Sequence, residues 1–195
     1  MQEFERNLAV YTGAKYAVGV GNATDALQIG LMAGGIGPGD EVIFCSHTMV
    51  ATAAAIHFSG ATPVPVEAGP DHLMDPKKLE AAITSRTRAI MPTQLNGRAT
   101  NMDSVMGIAK KHGLDVYEGA AQALGSKFKG QCAGTFGKAS CISFYPAKVL
   151  GCFGDGGAVL TNDLAGVVPA HDIEDLLGRQ SIAISNGPDF LLYWA

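Results

Sequence analysis

The sequence predicts an α/β chain built on a mainly parallel sheet with helices on both faces. Three observations carry this expectation. Short β-prone runs alternate with helical patterns of about ten residues, the order expected of strand-helix-strand crossovers. Hydrophobic residues make up 47% of the chain and charged residues only 16%, and the 25 glycines are spread throughout, which fits a well-buried chain with many tight turns. At 195 residues the length fits one ordinary domain.

The elements follow in order. Phe4, Leu8 and Tyr11 recur at helical spacing, so Gln2 to Tyr11 reads as an amphipathic helix stopped by Gly13. Tyr16 to Val20 is a strand, Gly21-Asn22 a turn and Ala23 to Ala33 a helix, with Gly34 to Asp40 as a turn-rich connector. Glu41 to Phe44 is the next strand, Thr48 to Phe58 the next helix, and Thr62 to Val66 a valine-rich strand. Asp75 as cap and Pro76 at the first helical position open a helix with Leu79 and Ile83 inward. Ala89 to Met91 is a strand, Asn101 caps a helix from Met102 to His112 that Gly113 ends, and Asp115 to Glu118 is again a strand. Cys141 to Phe144 and Ala158 to Leu160 complete the set. Ligands of such sheets sit at the carboxyl ends of strands, so the loops to examine are Gly21 to Thr24, Cys45 to Met49, Gln94 to Gly97, Gly119 to Gln122 and Ser143 to Lys148.

Composition removes several classes of function. A net charge of −4, with only scattered lysine pairs, lacks the footprint of a nucleic-acid binder. No apolar run reaches membrane-spanning length, the first residues do not read as a signal peptide, and the four cysteines form no Cys-x-x-Cys pair, so a reduced, cytoplasmic protein is expected. Gly19 and Gly21 begin a dinucleotide fingerprint that Thr24 breaks, and Cys132 replaces the first glycine of a P-loop. There is no Gly-x-Ser-x-Gly elbow, and the histidines have no zinc-site spacing.

One motif stands out. Ser143-Phe144-Tyr145-Pro146-Ala147-Lys148, followed by Gly151 and Gly154-Asp155-Gly156-Gly157, closely resembles the cofactor-lysine segment of the DegT/DnrJ/EryC1/StrS family of nucleotide-sugar aminotransferases, which use pyridoxal 5′-phosphate (PLP). The segments Gly13 to Val20, Asn22 to Leu27, Leu95 to Arg98 and Glu118 to Gly125 match in family order and spacing. The resemblance covers residues 1–163 and implies the large domain of a fold-type I PLP enzyme, with an active site at a homodimer interface.

The roles that the resemblance implies are chemically intelligible. Lys148 takes the position of the lysine that carries PLP as a Schiff base and then shuttles protons. Backbone N–H groups at Ala23 and Thr24, where a helix begins, together with the Thr24 and Ser143 hydroxyls, match the phosphate site. Gln122 matches the residue that approaches the ring's phenolic oxygen. Without the family context, Thr24 reads as a helix cap, Ser143 as a strand-end hydroxyl, Gln122 as an exposed residue of a short helix and Lys148 as a solvated lysine.

The chain also departs from the pattern. The family carries aspartate after the position of Glu118, where its carboxylate keeps the pyridine nitrogen protonated; here that residue is Gly119. Glu118 is a poor substitute, because successive strand residues point to opposite faces. Bound PLP is therefore expected to be a weak electron sink. Met49 replaces a ring-stacking aromatic, though on its own it also reads as a core residue at the start of a helix. Family members have an additional N-terminal helical segment and a small C-terminal domain, neither of which is recognised here, and residues 164–195 read as an unmatched, aberrant tail. Two readings follow: a PLP-dependent aminotransferase of keto nucleotide-sugars using glutamate as amino donor, or a catalytically inactive remnant that folds and at most binds PLP or self-associates.

Overall fold

The computed structural model describes residues 1–163; the tail expected over 164–195 lies outside them. Helix α1 (Gln2–Thr12) ends on Gly13, whose φ of 78° is the left-handed conformation that glycine adopts without penalty. Strand β1 (Tyr16–Val20) leads through Asn22 into α2 (Ala23–Ala33), then β2 (Glu41–Cys45), α3 (Val50–Phe58) and β3 (Thr62–Val66). A short α4 (Pro76–Leu79) tightens into a 3₁₀ turn (Glu80–Ala82) before β4 (Thr87–Met91), α5 (Met102–His112) and β5 (Asp115–Gly119). A hairpin of β6 (Lys127–Phe128) and β7 (Gln131–Cys132) precedes β8 (Ala139–Ser143) and β9 (Gly157–Thr161).

The strands form one seven-stranded sheet in the order β1-β9-β8-β5-β4-β2-β3. Pairing is parallel from β8 through β3, and β9 runs antiparallel to both of its neighbours. Six strands therefore point the same way, and their carboxyl ends share one edge of the sheet. Alternate residues of the central strands enter different cores: Val42, Phe44, Ala89, Met91 and Tyr117 pack with α2 and α3, whereas Ile43, Cys45, Ile90 and Val116 pack with α5 and Leu79. A third cluster joins Leu8 of α1 to Ile142, Phe144, Ala158 and Leu160. Burial on both faces explains why these strands read as continuous apolar runs.

Two expectations need correction, and one element is additional to them. Helix α3 begins at Val50 rather than Thr48, because Met49 is extended at the cap position with ψ 146°. The helix opened by Asp75 is shorter than expected: it is already a 3₁₀ turn at Glu80, and Ile83 is extended beyond it. The β6–β7 hairpin was not anticipated. Its turn, Lys129-Gly130, has positive φ at both residues (48° and 89°), the conformation of a tight hairpin turn, and a Lys-Gly pair is a weak sequence signal for one.

Candidate active site

A cleft opens at the carboxyl edge of the sheet, where the residues following several parallel strands converge. Ala23 and Thr24 reach it from the start of α2, Thr48 and Met49 from the end of β2, Thr93 from the end of β4, Gly119 and Gln122 from the end of β5, and Lys148 from the loop after β8. The sequence-derived residues Ala23, Thr24, Met49, Gly119, Gln122 and Lys148 thus meet in one place. Ser143 does not line the cleft. It sits at the end of β8, beside Gly157 in the pairing with β9, and its Oγ accepts a hydrogen bond from the Tyr145 N–H at 3.3 Å.

The start of α2 is built to face an anion. Asn22, not Thr24, is the cap: its Oδ1 accepts from the Asp25 N–H at 2.9 Å, and its carbonyl accepts from Ala26 N–H at 3.1 Å. The Ala23 and Thr24 N–H groups, the first of the helix, are left at its open end beside the cleft. Strand β9 abuts this turn. A Cβ on Gly157 would lie 2.5 Å from the Asn22 carbonyl carbon and 2.7 Å from Ala23 N, so only glycine permits the approach.

Lys148 is half-buried rather than solvated. Its N–H closes a turn onto the Tyr145 carbonyl at 2.8 Å. The loop folds back so tightly that a Cβ on Gly151 would stand 2.6 Å from the Pro146 carbonyl oxygen. Gln122 is also half-buried, and it lies in a turn, not on a short helix. Its Oε1 accepts from the Asn96 N–H at 3.3 Å and its carbonyl from the Gly97 N–H at 2.9 Å, which leaves its Nε2 as the donor for a ligand oxygen. Met49 is 57% exposed at the rim, so it is not a core residue.

Glu118 and Gly119 separate as strand geometry requires. Gly119 faces the cleft, while the fully buried Glu118 carboxylate turns to the other side and is held by four donors. The N–H groups of Gly134 (2.8 Å), Phe136 (2.7 Å) and Gly137 (3.0 Å) and the amide of Gln94 (2.7 Å) all donate to it. Burial pushes the Glu118 carboxyl up, and those donors pull the other way. No carboxylate lines the cleft among the described residues. Cys141 also lines it; burial pushes its thiol up to about 12, keeping it neutral despite the opposing pull of Lys148.

Sequence reading missed Thr48, Thr52, Thr93 and Cys141 as lining residues. Thr48 lies within the loop Cys45 to Met49, and Thr93 lies one residue before the loop Gln94 to Gly97. Among the described residues there is no cluster of metal-ligating side chains, and no helix is long and apolar enough to cross a membrane.

The fold is shared with PLP-dependent aminotransferases of known structure, of which this chain covers about half. The chain belongs to the DegT/DnrJ/EryC1/StrS aminotransferase family, whose model matches residues 1–169. It is 49% identical over 164 residues to dTDP-3-amino-3,4,6-trideoxy-alpha-D-glucose transaminase of Streptomyces venezuelae, covering 84% of this chain and 43% of that protein. It is likewise 49% identical over 162 residues to UDP-2-acetamido-2-deoxy-3-oxo-D-glucuronate aminotransferase of Pseudomonas aeruginosa, covering 83% and 45%. Among solved structures, NtdA from Bacillus subtilis with bound cofactor PMP superposes with a TM-score of 0.81 at 34% identity, over 89% of this chain and 39% of that one. The chain spans less than half the length of these curated relatives.

Proposed function

We propose that this chain forms the cofactor-binding part of a PLP-dependent aminotransferase that acts on a keto nucleotide-sugar, with glutamate as amino donor. The observation that carries the reading is the convergence of the Lys148 amine, the open N-terminus of α2 and the free Gln122 amide on one cleft. The donor set fits PLP end to end. The Ala23 and Thr24 N–H groups and the Thr24 hydroxyl would bind its phosphate, and Gln122 Nε2 would donate to its phenolic oxygen. PLP, when bound, supplies the carbonyl that accepts the amino group and the ring that draws electrons from the reacting carbon. Lys148 Nζ would hold the cofactor and then take and return the proton at that carbon. Met49 at the rim would cover one ring face and limit water.

Val149 and Leu150, next to Lys148, are exposed, as is Tyr145. These apolar side chains support a homodimer in which the site is completed across the interface. Cytoplasmic location is proposed on the same family basis. A second reading, a remnant that binds PLP without turnover, is favoured by one observation: no carboxylate lines the cleft among the described residues.

The test is to add PLP to the purified protein and record its absorbance, with Lys148→Ala as comparison. A bound-cofactor band that requires Lys148 is expected, and its absence would remove the cofactor reading altogether. Adding glutamate and a keto nucleotide-sugar then separates the two readings: loss and recovery of the band through a turnover cycle supports the enzyme, and an inert band supports the remnant.

A further inference from the structure

Beside Gly119, a chain of hydroxyl groups occupies the part of the cleft that a carboxylate side chain would reach. Thr93 lies alongside Gly119 in a parallel bridge, with the Gly119 N–H on the Pro92 carbonyl at 3.0 Å and the Gln94 N–H on the Gly119 carbonyl at 2.9 Å. A Cβ built on Gly119 would stand 3.7 Å from Thr93 Oγ1 and 3.7 Å from the Pro92 oxygen. Of these two, only the threonine hydroxyl can donate a hydrogen bond. Thr93 Oγ1 donates to Thr48 Oγ1 at 3.0 Å, and Thr48 Oγ1 shares a 2.8 Å hydrogen bond with Thr52 Oγ1. Thr93 and Thr52 are buried, and all three line the cleft.

Building on the PLP reading above, we infer that the Thr93 hydroxyl, backed by Thr48 and Thr52, donates to the ring nitrogen of the cofactor and holds that nitrogen unprotonated. A neutral pyridine nitrogen accepts from one donor, whereas the protonated form is favoured by an anion beside it. Among the described residues the cleft lining supplies the hydroxyl and no carboxylate. When Thr93 turns its proton to the ring it gives up its donor bond to Thr48, while Thr48 keeps its shared hydrogen bond with Thr52. An alcohol is far too weak an acid to protonate pyridine, so the arrangement secures the cofactor while leaving its ring a poor electron sink. Thr93 is thereby a cofactor-binding residue, and Thr48 and Thr52 position it.

The experiment loads the full chain with PLP labelled with nitrogen-15 in the ring and reads the nitrogen resonance together with the dissociation constant. The wild-type protein is expected to give a neutral, hydrogen-bonded pyridine signal. Thr93→Val should move that signal toward a pyridine without a donor and weaken binding about fivefold, the worth of one net hydrogen bond. Thr93→Ser should restore both, which separates the loss of a hydroxyl from a packing defect. Gly119→Asp should move the signal to the protonated range. A protonated nitrogen in the wild type, or a Thr93→Val protein with unchanged signal and affinity, would overturn the inference while leaving PLP binding intact. Absence of any Lys148-dependent bound PLP would instead overturn the underlying cofactor reading, and this inference with it.

Discussion

At the residue scale, two neighbours on β5 illustrate opposite uses of burial. Tyr117 is 1% exposed, and its hydroxyl has no hydrogen-bond partner. It presses on Gly34, where a Cβ would come within 1.7 Å of the oxygen. Burial raises its pKa, so it stays a neutral, unsatisfied phenol. Tyr117→Phe removes the unpaired oxygen and keeps the ring, and should stabilise the protein by about 1 kcal/mol. A urea midpoint that rises without a change in slope would be the signature. Glu118 is the reverse case, a buried carboxylate with donors on both oxygens. Glu118→Gln sets an amide N–H₂ against backbone donors, whichever way it is flipped. Thermal unfolding should show a loss of about 3 kcal/mol or more. A variant as stable as the parent would mean that the four bonds do not hold the 134–137 loop in place.

At the element scale, the segment that delivers Lys148 depends on backbone closeness rather than on side-chain packing. Because a Cβ at Gly151 would intrude on the Pro146 carbonyl, Gly151→Ala must shift the Tyr145–Lys148 turn. The segment meets the hydrophobic clusters only at its ends, through Phe144 and Cys152, so the expected result is PLP affinity reduced on the order of tenfold with little change in melting temperature. Equal losses of stability and affinity would argue that the turn is part of the folding core. The same distinction explains what was legible in the sequence. Strands β1 and β3 and helices α2 and α5 were readable with their present bounds, because caps, glycine stops and apolar runs are local signals. The antiparallel insertion of β9 between β1 and β8 is long-range and left no local trace. Lys148, Thr24 and Gln122 were reached through family motifs. Thr93 was not, because a threonine at a strand end is chemically unremarkable until Gly119 is seen beside it.

At the scale of the whole molecule, the edge opposite the cleft carries an ion pair whose titration should be visible in stability. Glu41 at the start of β2 is 4% exposed and receives Thr84 Oγ1 and the Arg86 guanidinium, whose Nε lies at 2.9 Å. The Thr84 hydrogen bond and then Arg86 hold its carboxyl below its ordinary value of 4.5. A carboxyl whose pKa is depressed on folding adds stability that is complete above the unfolded value and disappears as pH falls through the folded one. Urea midpoints should therefore drop on acidification below the ordinary carboxylate range, and Arg86→Ala should flatten that drop; parallel curves for both proteins would contradict the assignment. The central claim, that the chain holds PLP through Lys148 in the cleft formed by α2, β4, β5 and the loop after β8, has a direct chemical test. Borohydride reduction of the PLP-loaded protein, followed by peptide mass spectrometry, fixes the cofactor to whichever lysine bears it. The account predicts a single pyridoxyl adduct on Lys148, abolished in Lys148→Ala. Adducts absent from Lys148, or spread over surface residues such as Lys15, Lys77 and Lys110, would contradict it.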